Sequence, residues 1–394
     1  MSLPNRLKQR IRTTARNVTP MCSTLPGSFC LLGIPKKRRN SCDFVPYYRP
    51  EKIVRCHPRT VDGQIHWKFL RDLNEGHRYT TPNAFLECLN RGVAGSEGSV
   101  LNRHYILIPE LSKQLDLRKG EDHKITRSVN FLPKVAHFSS SVAAIAFEGQ
   151  SNYFHWMFDA LPQLHLLEKS QLAPQCLYLE CHTPFQKQSL EILGYGQKTI
   201  IDSRRYKFIS ADRLVVPSFP GKSGYVTSWA CNYLRDRFLP LSCQANLPFD
   251  DKSYERVYLS RKNAARRRIT NEKELESFLS SKGFLEIQTD QMSLLDQIRL
   301  FENAKIVVSP HGAGLTNLVF CRQGTKVIEL FSPQYVNGCY WTLCEQIGLD
   351  YYYLMGEGEA FQSSQSCSRV VDNVTDDIEI DIRKLDRLFT LAEI

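Results

Sequence analysis

The residues best suited to moving a proton lie in Asn152-Tyr153-Phe154-His155-Trp156-Met157-Phe158-Asp159-Ala160-Leu161-Pro162. The pattern predicts a helix starting at Ser151 or Asn152 and running to about Ser170. On such a helix His155 and Asp159 share a face, one turn apart. Such a pair can work as a general base: the carboxylate orients the imidazole and raises its basicity, or accepts the proton itself. The plainer explanation is a surface or capping pair. The spacing also suits two metal ligands, but no third ligand stands nearby, so no metal site is assigned.

A second set of residues suits an anion. Ser309-Pro310-His311-Gly312-Ala313-Gly314-Leu315-Thr316-Asn317 follows an apolar strand and opens a short helix. Small residues at 312–314 let backbone N–H groups approach an anion, and a helix N-terminus favours negative charge. Glu329, at the end of the next strand, is placed to accept hydrogen bonds from a diol. A Gly-rich turn that merely lets strand and helix pack is the bland alternative. Asn317 stands where a dinucleotide fingerprint has its third glycine, which disfavours a nicotinamide enzyme, and no Walker A sequence occurs. The third set is Leu259-Ser260-Arg261-Lys262 continuing to Arg266-Arg267-Arg268. A guanidinium presents a fork of donors that matches phosphate oxygens. Arg261 and Arg268 are the expected phosphate contacts, while Arg266 and Arg267 read as a solvated loop.

These residues need a scaffold, and the chain shows one from about residue 104. Short apolar runs at 104–110, 142–149, 175–180 and 213–219 read as strands, with helices at 151–170, 185–193 and 225–239. After a linker-like stretch at 240–251, strands at 256–261, 284–289, 305–309, 326–332 and 350–354 alternate with helices at 271–282, 293–304 and 339–348. Alternation with short connections predicts α/β architecture, a parallel sheet in each half with helices on both faces. Ligands bind at the carboxyl ends of such strands, where both the 309–317 and the 261–268 loops should fall. The expected organisation is an irregular extension over 1–100, a Rossmann-like domain over 101–245, a second over 246–360, and an acidic tail with an amphipathic helix over 361–394.

Composition narrows the class. The 394 residues carry 51 Lys+Arg against 41 Asp+Glu and are 42% hydrophobic, which excludes a disordered chain. No apolar run approaches the ~20 residues of a membrane span. Nine Lys/Arg and no acid fall within residues 1–40, so this arm can attract anionic lipid or an acidic polymer. Arg12, Arg16 and Asn17 interrupt any signal-type apolar segment, which leaves the sequons Asn17-Val-Thr and Asn373-Val-Thr without a secretory route. Thirteen cysteines without a CxxC suggest free thiols, and the expected compartment is the cytoplasm, with peripheral contact to an inner membrane. Nucleic acid is not expected as a partner, because no aromatic-basic interleaving accompanies the charges.

Taken together, NYFHWMFDALPQL, LSRKNAARRRITNEKEL and SPHGAGLTNLVFCRQGTKVIELF resemble glycosyltransferase family 61, over about residues 145–355. The likeness is to the bacterial branch associated with capsular polysaccharide synthesis. It implies a GT-B-like fold with two Rossmann-like domains facing a cleft. It also implies an inverting, metal-independent transfer from a nucleotide sugar, UDP-linked by expectation, to a glycan acceptor. No cofactor is implied beyond that donor. Consistent with this, no Asp-x-Asp handle for a metal-bound nucleotide sugar occurs in the chain. The resemblance assigns the donor end to Arg261, Arg268, His311, Gly312, Ala313, Gly314, Leu315, Asn317 and Glu329. It assigns the base to Asp159 or His155. The acceptor it implies is an oligosaccharide, polysaccharide or lipid-linked glycan of capsular or exopolysaccharide synthesis in a bacterium, with a protein acceptor the alternative in a eukaryote. The competing reading is a non-catalytic glycan- or polyanion-binding protein on the same scaffold.

Overall fold

The computed structural model describes residues 46–76, 79–113, 134–248, 250–358 and 376–394, with residue 125 and three short strand pieces at 22–24, 29–30 and 131–132. The charged residues of the basic arm and both sequons lie outside the described residues. Two sheets form the α/β framework.

The first sheet contains β1 (Cys22–Thr24), β3 (Leu86–Asn90), β4 (Val93–Gly95), β5 (Val100–Leu101), β7 (Val135–Ala144), β8 (Cys176–Leu179), β9 (Thr199–Asp202) and β10 (Phe208–Pro217). The pieces β2 (Phe29–Cys30) and β6 (Phe131–Leu132) pair separately. Strands β10, β7, β8 and β9 run parallel in that order, while β3 and β4 pair antiparallel with β10. The second sheet is wholly parallel: β11 (Arg256–Leu259), β12 (Leu285–Ile287), β13 (Ile306–Pro310), β14 (Lys326–Phe331) and β15 (Asp350–Met355), in the order β12-β11-β13-β14-β15. IVVSP and KVIELF are nearly all apolar because helices cover this sheet on both faces. The order reverses between β11 and β13. Their carboxyl ends therefore flank a topological switch point, the place where open parallel sheets bind ligands.

Several expectations shift. The run 104–110 is not a strand but a set of turns with one bridge, Leu101 to Leu107. Asn102 Oδ1 accepts from the N–H groups of His104 and Ile106 at 2.9 and 3.1 Å, and Tyr105 sits at φ +59°, so the chain folds back on itself. Residues 46–101, read as part of an irregular extension, join both halves. Leu86–Leu101 supplies three strands of the first sheet. Phe69 instead packs on Trp341 and Tyr353, at centroid distances of 5.3 and 4.6 Å, and the Arg59 carbonyl accepts from the Tyr353 N–H beside β15 at 3.0 Å.

The 240–251 stretch is not a free linker. It forms 3-10 turns at Leu239–Gln244 and Asp251–Tyr254, and Ser242 Oγ donates to Glu302 Oε2 at 2.5 Å. One hydrophobic cluster runs through both halves, joining Phe154, Phe158 and Leu161 to Leu315, Phe320 and Trp341. The helix Ile382–Leu391, capped by Asp381, buries Leu385, Leu388 and Phe389 against Leu279 and Phe284. No helix of the described residues is long and apolar enough to cross a membrane.

Candidate active site

Arg261 leaves the end of β11 and turns toward Gly312 at the end of β13. A Cβ at Gly312 would lie 2.1 Å from Arg261 Nη1 and 2.9 Å from its Cζ, so only glycine admits the guanidinium here. Arg261 Nη2 donates to the Arg266 carbonyl at 3.0 Å, and its buried Nε finds no acceptor. No carboxylate pairs with Arg261 among the described residues. Burial, reinforced by Arg267 and Arg266, pushes its pKa down to about 10. A half-buried guanidinium held beside a second one, without an acid, is an arrangement that an anion completes.

The second guanidinium belongs to Arg267. Its backbone adopts the left-handed region at φ +56°, and its Nε donates to the His311 carbonyl at 3.0 Å. Its Cζ lies 5.1 Å from the Tyr335 ring centroid, and burial lowers its pKa. Arg268, the residue expected at the phosphate, points the other way: it is exposed and binds Asp377 Oδ2 through Nη2 at 2.8 Å. The run of three arginines therefore offers its middle member to the loop.

The 309–317 loop is a turn over a hydrogen-bonded floor. Ala313 and Gly314 are partly exposed at the start of the 3-10 segment Ala313–Phe320, whereas Leu315 is core. His311 Nδ1 donates to Glu329 Oε1 at 2.5 Å, and Tyr351 Oη donates to Glu329 Oε2 at 2.5 Å. Glu329 is 0% exposed, so both oxygens are spent beneath the loop and neither reaches a diol. Its role here is to hold His311, which also stacks on Phe331 at 5.3 Å. Asn317 is buried as well. Its Oδ1 accepts from Tyr153 Oη at 2.6 Å and its Nδ2 donates to Gln297 Oε1 at 2.8 Å. It ties the loop to the helix that carries His155.

That helix is irregular where the chemistry is. Asn152 caps it by accepting from the Phe154 N–H, residues Trp156–Ala160 form a π-turn, and Leu161–Ser170 continues as α-helix. π-turns widen the backbone by one residue and recur at functional sites. His155 Nδ1 and Asp159 Oδ2 are 2.8 Å apart. An ionised carboxylate only accepts, so Nδ1 carries the proton of this contact, and in the neutral form of the ring Nε2 is the nitrogen left to accept. Asp159 Oδ1 meets Lys113 Nζ at 2.6 Å. Burial alone would raise the Asp159 pKa, but Lys113 and His155 outweigh it and hold the carboxyl below its ordinary 3.8. Asp159 also borders a narrow crevice lined by Phe154, Phe158 and residues 220–227. Phe154 packs on Tyr340 at 5.7 Å and Tyr340 on His311 at 5.3 Å, so the two motifs share one aromatic floor.

Lys113 and Arg267 escaped the sequence reading. Lys113 has no local motif, and its only signal is a lysine beside apolar runs. Arg267 was hidden by its neighbours. One group of three acids, Glu272, Glu276 and Glu286, brings carboxylate oxygens within 4.8 Å of one another. Lys262 Nζ already sits 2.5 Å from Glu286, and Tyr258 and Ser260 donate to Glu272, so hydrogen bonds and charge pairing account for the cluster.

The model of the family described as Glycosyltransferase 61 matches residues 153–328. The match contains His155, Asp159, the arginine loop and 309–317; Lys113 and Glu329 fall outside it. Among curated relatives, the EGF domain-specific O-linked N-acetylglucosamine transferase of Canis lupus familiaris is 31% identical over 111 residues, 27% of this chain and 21% of that protein. The protein of the same name from Mus musculus is 31% identical over 101 residues, 24% and 19%. A beta-1,2-xylosyltransferase of Arabidopsis thaliana is 31% identical over 61 residues, 16% and 11%. The chain thus spans about a fifth or less of the length of these relatives.

Proposed function

We propose that this protein is a glycosyltransferase of the GT-B arrangement that moves a sugar from a nucleotide sugar to an acceptor hydroxyl, with inversion and without a metal. The observation that carries the reading is the pair Arg261 and Arg267 at the switch point, within a glycosyltransferase 61 domain that also holds the His155–Asp159 pair. The acceptor hydroxyl gives its proton to His155 Nε2 while Asp159 steadies the imidazole. The oxygen attacks the anomeric carbon as the bond to the diphosphate breaks on the opposite side, which inverts the centre. The charge released on the diphosphate falls to Arg261, Arg267 and the backbone N–H groups of Ala313 and Gly314. Two guanidiniums supply the positive charge that a metal supplies in other enzymes.

The donor is expected to be UDP-linked. The relatives' names put N-acetylglucosamine and xylose first among the sugars to test. The relatives' names mention no capsular acceptor, so the acceptor is proposed only as a free hydroxyl of a glycan or of a protein. Thermal-shift measurements with UDP-, GDP- and CMP-sugars and their free nucleotides, with and without EDTA, test the donor site. UDP ligands should raise the melting temperature equally in both conditions. No stabilisation by any nucleotide, or stabilisation abolished by EDTA, contradicts the proposal.

A further inference from the structure

Lys113 lies forty residues before the matched domain, yet it ends inside the base pair. Its side chain is 7% exposed and passes between Phe147 and Phe219, with Nζ 4.9 and 4.6 Å from the ring centroids. Its backbone N–H is anchored on the Gly98 carbonyl at 2.9 Å. Burying an ammonium is costly, and a core position of this kind is ordinarily filled by an apolar side chain. The cation here is aimed at one atom, Asp159 Oδ1 at 2.6 Å, while Oδ2 takes the His155 Nδ1 proton at 2.8 Å. Each carboxylate oxygen has its own partner, so the carboxylate plane cannot turn without breaking one contact. Burial lowers the Lys113 pKa, and Asp159 works against that.

Resting on the reading of His155 as the base, we propose that Lys113 is a positioning residue. It fixes the Asp159 carboxylate so that Oδ2 holds the Nδ1 proton, and it cancels the carboxylate charge that would otherwise keep the imidazole protonated. A base must be unprotonated when the acceptor arrives, and a cation on the far oxygen of the carboxylate favours that state. Against the His155 ring stand Asp159 on its own helix and Ser223 across from it; Lys222 and Tyr225 line the crevice that Asp159 borders, and Tyr79 lies within electrostatic reach of Asp159. Asp159 is the acid in contact with the ring, and Lys113 is its ion-pair partner.

The test is an imidazole ¹⁵N spectrum across a pH series on the full chain, with the His155 signal assigned by its loss in His155→Asn. Lys113→Met removes the cation, and Lys113→Gln removes the charge while keeping a donor for the fold. In both, the His155 imidazole should acquire its second proton at a pH about one unit or more above that of the unaltered chain. Lys113→Arg should restore the original behaviour. The acid limb of any transfer rate should move the same way, whereas a merely structural lysine would lower the rate without moving the limb. If a folded Lys113→Gln or Lys113→Met variant protonates where the unaltered chain does, the proposal is wrong. The spectra need no sugar donor. If they behave as expected and no nucleotide sugar is turned over, the transferase reading fails and the role of Lys113 stands.

Discussion

Arg267 holds φ at +56°, and that one left-handed residue decides which guanidinium of the Arg266–Arg268 run meets the β13 loop. Side-chain type and spacing put an arginine there but not which one, because direction depends on a backbone dihedral that three identical neighbours cannot reveal. The C-terminal segment takes Arg268 through Asp377, more than a hundred residues away. Glu329 was legible as a buried-strand acid near the loop. Its actual partners are His311, in the loop after β13, and Tyr351 on β15, so the sequence could not show that both oxygens are occupied. Calorimetric titration with UDP separates the arginines. A charge-assisted hydrogen bond is worth about 1.5–3 kcal/mol, so Arg261→Ala and Arg267→Ala should each weaken binding roughly 10–150-fold. Arg268→Ala should leave it within about twofold. Loss of affinity in Arg268→Ala with none in Arg267→Ala would reverse the assignment.

At the scale of elements, β11 and β13 matter most, because the chain leaves β11 for β12 on one side and returns to β13 on the other. Gly312 makes that junction usable. Its φ of −174° is open to any residue, so the demand for glycine is purely spatial and comes from Arg261. Gly312→Ala should displace the guanidinium and reduce UDP affinity about tenfold, while the fold loses little stability because the atoms that must move are the far end of a flexible side chain. Full affinity in this variant, measured by the same titration, would show that Arg261 does not touch the diphosphate. The second-half strands were readable because each is a short apolar run between helix signals. β9 (TIID), β3 (LECLN) and the first half of β7 (VAHFSSS) were not, since they are only partly buried and mix polar residues into the pattern. The π-turn at Trp156–Ala160 was likewise invisible, as its residues fit an ordinary helix.

For the whole molecule, alternation of strands and helices indicated a parallel sheet in each half; the second sheet is wholly parallel, whereas β1, β3 and β4 add antiparallel pairs to the first and β2 pairs with β6 apart from both. The joining of the halves was not legible. It depends on Tyr153 reaching Asn317, on Phe154 and His311 sharing Tyr340, and on residues 46–76 packing against β15, all contacts between distant positions. Those contacts put the helix that carries the His155–Asp159 pair and the 309–317 loop on one aromatic floor. The proposed transfer needs both parts together. The direct test is transfer from UDP-N-acetylglucosamine or UDP-xylose, assayed in EDTA with the unaltered chain and with His155→Ala. The account predicts turnover by the unaltered chain and a loss of about 10²–10⁴-fold in the variant, with UDP affinity unchanged. Equal turnover by His155→Ala would contradict it.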